Sequence, residues 1–230
     1  MTQNLFLRPT AAQKVAGMVS AALLVVLTAI NLISTTNPFD TGVLSWAVAH
    51  RTPGMNALML NITNAFTPAD IVIYAFILAT GVALWKKSFK LWFAFFGAVG
   101  VSSVVGQVIK HIVGRSRPDL AFQIVHETDL SFPSGHATGI VSLVVALYLV
   151  LFFSTRNRAA LAVLGAILTV LATLVCLSRV YVAAHWSTDV VAGAALGLCV
   201  SIAWFWVTEK VFTAFANRRA EAKESHELAA

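Results

Sequence analysis

Lys110, Arg117, His136, Arg179, His185 and Asp189 fall within residues 110–189 of a 230-residue chain. Three permanent cations can clamp an oxyanion through charge-assisted hydrogen bonds. Two histidines and a carboxylate can supply a nucleophile, a proton carrier and a group that orients one of them. Together they suit phosphoryl chemistry.

The spacing adds detail. Lys110 and Arg117 are close to two helical turns apart, so a helix continuing through both would set them on one face, while Pro118 disfavours helix at its neighbour. In Pro133-Ser134-Gly135-His136, Ser134 is a favoured N-cap residue and Gly135 allows close backbone approach. A helix starting there would point its first N–H groups, with the positive end of its dipole, at an anion beside His136. His185 and Asp189 are one helical turn apart, which lets the carboxylate accept a hydrogen bond from the imidazole and raise the basicity of its other nitrogen. Arg179 would lie on another face of an unbroken helix from His185, so the chain must bend between them.

The elements that position these residues are set by composition. Hydrophobic residues make up 58% of the chain and charged residues only 11%, against about 25% charged in an ordinary soluble domain. This excludes a soluble enzyme, a disordered regulator and a disulfide-stapled secreted domain. Cys176 and Cys199 sit inside apolar runs and read as packing residues. Apolar runs at 16–34, 69–85, 91–109, 137–153, 159–178 and 190–208 approach the roughly 20 residues needed to span a bilayer as helix. The expected fold is all-α, a six-transmembrane helical bundle. Residues 1–15 form a cytoplasmic N-terminus, 16–208 the membrane domain and 209–230 a cytoplasmic tail. The first run is long for a signal peptide and lacks a clear cleavage site, so it reads as a retained anchor.

With a cytoplasmic amino terminus, eleven of the sixteen Lys and Arg residues fall inside and five outside, as the positive-inside rule requires. Both termini are then cytoplasmic, and the formal net charge of +6 reflects topology without a nucleic-acid partner. The six chemistry-bearing residues gather at the outer ends of the spans. Taken singly, each group has a plainer explanation: basic side chains reaching for headgroups, a capped helix start, a His–Asp pair closing a helix. Their convergence on one side of the membrane favours a phosphate site.

Lys110-x6-Arg117-Pro118, Pro133-Ser134-Gly135-His136 and Ser178-Arg179-x5-His185-x3-Asp189 resemble, in order, the three signature motifs of the type 2 phosphatidic acid phosphatase (PAP2) superfamily. The six-span plan is similar to its bacterial membrane branch, the phosphatidylglycerophosphate and undecaprenyl diphosphate phosphatases. The resemblance implies that His185 attacks phosphorus to give a phosphohistidine, that Asp189 orients His185, and that His136 acts as general acid and base. It implies that Lys110, Arg117, Arg179, the Ser134 hydroxyl and the N–H groups of Ser134 and Gly135 bind the phosphoryl oxygens, with no metal or cofactor. The implied substrate is a lipid phosphate or diphosphate held from the bilayer at the outer face of a bacterial cytoplasmic membrane. Undecaprenyl diphosphate, phosphatidylglycerophosphate and phosphatidic acid share the reacting group.

Two other readings use the same residues: a phosphotransferase that passes the phosphate to another acceptor, and a transporter of anionic lipid that does no chemistry. Charges confined to one side, and a His–Asp pair with no part in anion passage, argue against the transporter. His111, Arg115, His126, Glu127 and Asp129 read as solvated loop polarity or headgroup contacts. Residues 36–68 read as short interfacial helices. Trp85, Trp92, Trp186, Trp204 and Trp206 read as interface anchors. The Gly193-to-Gly197 stripe permits close helix approach and reads as internal packing before a dimer seam.

Overall fold

A computed structural model describes residues 7–228. The first six residues of the expected N-terminal segment and the last two of the tail lie outside the described residues. The order is α1 (Ala11–Ile33), α2 (Pro38–Ala49), α3 (Pro53–Ala65), α4 (Pro68–Lys86), α5 (Phe89–Val113), a 3-10 turn (Leu120–Phe122), α6 (Gly135–Ser154), α7 (Arg158–Tyr181) and α8 (Ser187–Leu228). The helices α1, α4, α5, α6, α7 and α8 are each long and apolar enough to cross a membrane.

Local sequence explains where helices begin. Asn37, Thr52 and Thr67 each cap a helix by accepting a backbone N–H three residues on, and Pro38, Pro53 and Pro68 follow them. Proline suits that first position because its missing N–H would have had no partner within the helix. Thr10 and Gln13 form a reciprocal capping box at α1. These signals place α2 and α3 in the 36–68 segment.

α6 and α8 form the centre. Over half of the apolar stretch of α6 is buried (56%), against 17% for those of α4 and α7. The close approach depends on two glycines. A Cβ at Gly193 would lie 2.5 Å from the Ser134 carbonyl oxygen, and one at Gly197 would lie 2.6 Å from that of Thr138. The Gly193-to-Gly197 stripe therefore packs α8 on α6 within one chain. Around this pair, Ile71, Phe95, Ala98, Ile140, Leu149 and Phe205 make a buried core. Val19 and Val26 of α1, Phe76 and Ile77 of α4, and Val163 and Ile167 of α7 face outward, an apolar surface that a bilayer solvates and water does not.

Every motif lies at one end of this bundle. At the other, Glu209 is nearly fully buried and accepts from the Leu7 N–H at 2.8 Å and the Lys90 ammonium at 2.6 Å, joining the start of the described chain to α5 and α8. α8 then runs on without a break to Leu228 through an Ala-, Glu-, Lys- and Arg-rich stretch of strong helix formers.

Candidate active site

The first cation pair is brought together by a turn. α5 ends at Val113, and Gly114 adopts φ +63°, a left-handed conformation that glycine enters without steric cost. Arg117 thus leaves the helix, so the continuation that would have set it on one helical face with Lys110 does not occur. The two cations converge instead on Asp129: Lys110 Nζ lies 2.8 Å from Oδ2, and Arg117 Nη2 pairs with Oδ1. Lys110 also donates to the Leu130 carbonyl at 2.6 Å.

Ser134 caps α6 as expected, accepting from the Ala137 N–H at 3.5 Å. Its own N–H donates to the Asp189 carbonyl at 3.0 Å, so this donor, expected to face the phosphate, instead fastens α6 to α8. His136, in the first turn of α6, is buried and hydrogen-bonded to the Thr63 backbone, with His185 and the cations Arg179 and Arg117 close by.

The bend expected between Arg179 and His185 is present. α7 ends at Tyr181, Ala183 takes φ +57°, and the N–H groups of Ala184 and His185 both return to the Arg179 carbonyl, at 3.1 and 3.3 Å. An L-residue in this conformation costs roughly 1–2 kcal/mol, which the surrounding packing must offset. His185 therefore sits in the turn before α8. Its Nδ1 is 3.6 Å from Asp189 Oδ2, too long for the direct hydrogen bond that a spacing of one helical turn implied. Ser131 fills the gap, donating through Oγ to Asp189 Oδ2 and lying 3.4 Å from His185 Nδ1.

The tautomer follows from the other nitrogen. Arg117 Nη1 lies 3.2 Å from His185 Nε2, and a guanidinium can only donate. Nε2 therefore carries the lone pair and Nδ1 the proton. Burial first, and then the charges of Arg117, Arg179 and Lys110, hold the imidazole well below its ordinary pKa, so it is neutral at pH 7 with its lone pair turned toward the cations.

The third cation is oriented from outside the motifs. Arg179 is almost fully buried, donates through Nη1 to Thr63 Oγ1 and pairs through Nη2 with Glu127 Oε1 at 2.7 Å. Asp129 is pulled both ways. Burial opposes its charge, but the Lys110 hydrogen bond and the Arg117 and Lys110 charges prevail and keep it below the usual carboxylate range. Glu127 and Asp129, taken from sequence as solvated loop polarity, thus hold all three cations.

Three other expectations need correction. Arg115 is fully buried and pairs with both Asp189 and Asp40, so it is not loop polarity. Trp186 is buried and donates to the Ser116 carbonyl at 2.9 Å, so it is packing and not an interface anchor. The 36–68 helices do more than lie at an interface, because Thr63 accepts from Arg179, and Asp40 accepts from Arg115 and from the Thr188 N–H beside Asp189. His111 and His126 remain exposed. Among the described residues, no cluster of three or more His, Cys, Asp or Glu is placed to hold a metal ion.

Comparison with known proteins matches the PAP2 superfamily over residues 91–212, a range that contains every motif. The chain belongs to the PAP2 superfamily. It falls in the membrane-bound lipid phosphatase branch of that family. It is 32% identical over 166 residues to phosphatidylglycerophosphatase B of Bacillus subtilis, covering 69% of this chain and 78% of that one. It is 33% identical over 141 residues to undecaprenyl-diphosphatase of Sulfolobus acidocaldarius, covering 56% and 61%. The crystal structure of a transmembrane PAP2 type phosphatidylglycerolphosphate phosphatase from Bacillus subtilis superposes with a TM-score of 0.73 at 26% identity, over 86% of this chain and 96% of that one. This PAP2 protein is thus a multi-pass membrane protein with its motif residues collected at one end of six spanning helices.

Proposed function

We propose that this PAP2 protein hydrolyses a lipid phosphate monoester or diphosphate through a phosphohistidine on Nε2 of His185. The observation that carries the reading is the placement of Nε2. It is unprotonated, it lies 3.2 Å from Arg117, and Arg117 shares Asp129 with Lys110 and Glu127 with Arg179. A phosphoryl group taking the place of the two loop carboxylates meets three cations and a nucleophilic lone pair together.

In the first step the Nε2 lone pair attacks phosphorus, the bond to the leaving oxygen breaks, and His136 gives that oxygen a proton. Asp189 and Ser131 hold the Nδ1–H side of the ring and stabilise its developing charge. In the second step His136 takes a proton from water, the water oxygen attacks phosphorus, the N–P bond breaks, and inorganic phosphate leaves. Lys110, Arg117, Arg179, the Ser134 hydroxyl and the Gly135 N–H hold the phosphoryl oxygens. Charge neutralisation that a metal would supply elsewhere falls to these cations. The site end of the bundle faces outward, and the lipid enters from the bilayer with its tail still between lipids. Phosphatidylglycerophosphate and undecaprenyl diphosphate are the leading substrates, given what the similar proteins are named for.

The test is inorganic phosphate release by purified protein in detergent with a chelator present, over a panel of lipid phosphates and diphosphates, for wild type and His185→Ala. Chelator-resistant release that disappears in the variant, with acid-labile phosphate trapped on wild type, is the expected result. Well-folded wild type that releases no phosphate from any lipid would remove the hydrolase reading, and a new phosphate ester among the products would replace hydrolysis with transfer.

A further inference from the structure

The carboxylate of Asp189 is held by a buried network that reaches well outside the three motifs. Arg115, Asp40 and Asp189 all have fully buried side chains. Arg115 Nη1 donates to Asp189 Oδ1 at 2.5 Å and to Thr188 Oγ1 at 2.8 Å, Nη2 donates to Asp40 Oδ2 at 2.7 Å, and Nε donates to the Thr35 carbonyl at 2.9 Å. Asp40, in the first turn of α2, in turn receives the first turn of α8. Its Oδ1 accepts from the Thr188 N–H at 2.9 Å and Ser187 Oγ at 3.0 Å, and its Oδ2 accepts from Thr188 Oγ1 at 2.6 Å. The N-terminal N–H groups of a helix need an acceptor, and here another helix supplies it.

We propose that Asp40 and Arg115 are positioning residues, which act through Asp189 to fix the imidazole of His185. The proposal rests on the reading of His185 as nucleophile. Arg115 occupies Oδ1 of Asp189, which leaves Oδ2 to the Ser131 hydroxyl, the Trp186 N–H at 2.9 Å and the Nδ1 side of His185. A carboxylate free to rotate about its last bond could present either oxygen. The guanidinium fork removes that freedom.

Asp40 is needed because a guanidinium with a single carboxylate partner could swing with it, whereas one shared between two carboxylates on different helices cannot. Its charge is secure. Burial opposes ionisation, but the hydrogen bonds of Arg115 and Thr188 prevail and hold the carboxyl below its usual range. The network also explains what α2 contributes to a site whose motifs begin at residue 110. Misplacement of a reacting group by about 1 Å is enough to cost about 100-fold in rate, so a device that fixes one carboxylate oxygen acts on turnover more than on binding.

The test compares Asp40→Asn and Arg115→Lys with wild type on one lipid phosphate in detergent, with rates normalised to folded protein. Arg51→Met serves as a structural control between α2 and α3, since the Arg51 guanidinium, among the described residues, donates to the Phe122 and Tyr181 carbonyls at 2.8 Å each and reaches neither Asp40 nor Asp189. Asp40→Asn lowers kcat about 10- to 100-fold with KM within about twofold. Arg115→Lys, which keeps charge but loses the fork, lowers it less, and Arg51→Met leaves kcat unchanged. In an Asp189→Asn background Asp40→Asn causes no further loss, because its route to the reaction is already cut. Wild-type kcat in Asp40→Asn, or losses that multiply in the double variant, would overturn the positioning role while His185→Ala stays inactive. Turnover surviving in His185→Ala would overturn the active-site reading itself, and this proposal with it.

Discussion

Asp129 holds the Lys110 ammonium at 2.8 Å on one carboxylate oxygen and Arg117 on the other, so the clamp that would grip a phosphate already grips a carboxylate. The Asp129 side chain is 58% exposed, which makes its withdrawal toward solvent cheap. An entering phosphoryl group competes with it for the same two cations.

Asp129→Asn is therefore expected to tighten competitive inhibition by orthovanadate or inorganic phosphate about fivefold, the scale of a partly exposed ion pair. An inhibition constant that is unchanged or weaker would show that the carboxylate assists anion binding. The competition persists across neutral pH because Asp129 is held below the ordinary carboxylate range, and it weakens only in strong acid.

The acid limb of kcat/KM is a second check. His185 is held well below about 6.5 by burial and then by Arg117, Arg179 and Lys110, so its lone pair stays available as pH falls through 6.5. Removing a neighbouring cation favours the imidazolium and raises that pKa. Arg117→Gln should move the limb assigned to His185 upward toward 6.5 while also lowering the rate. Because the substrate's own titration is common to both proteins, the difference between the two profiles carries the result.

Ser131→Ala removes the hydroxyl between Asp189 Oδ2 and His185 Nδ1. Loss of one hydrogen bond to a charged group predicts a kcat lower by about tenfold with KM little changed. Steady-state kinetics on a single lipid phosphate would reveal a KM effect instead if Ser131 touched substrate.

Gly197→Ala places a methyl group 2.6 Å from the Thr138 carbonyl oxygen and 2.9 Å from the Ser142 nitrogen. Both neighbours are backbone of α6, so the helices must separate, at a cost of about 1–3 kcal/mol. Thermal unfolding in detergent should show the loss with no change in oligomeric state, since the stripe is internal.

Much of this protein is legible along the chain. Apolar runs of bilayer length marked all six spans, because a helix in hydrocarbon must be apolar over its full crossing. The N-cap at Ser134 and the bend between Arg179 and His185 depend on neighbouring residues, and both could be read locally. The cap-and-proline pairs Asn37-Pro38, Thr52-Pro53 and Thr67-Pro68 were equally local signals for the starts of α2, α3 and α4.

The fate of the polar side chains was decided only in three dimensions. Arg115 looks like any loop arginine until Asp40, 75 positions away, and Asp189, 74 positions away, close around it. Thr63 gives no sign of meeting Arg179 across 116 positions, and Glu127 and Asp129 look solvated until the cations they hold are placed beside them. Periodicity and capping report on a residue and its near neighbours. Whether a charge is buried depends on a partner brought through space, and that partner is set by how α2, α3 and the 123–131 loop pack on the bundle.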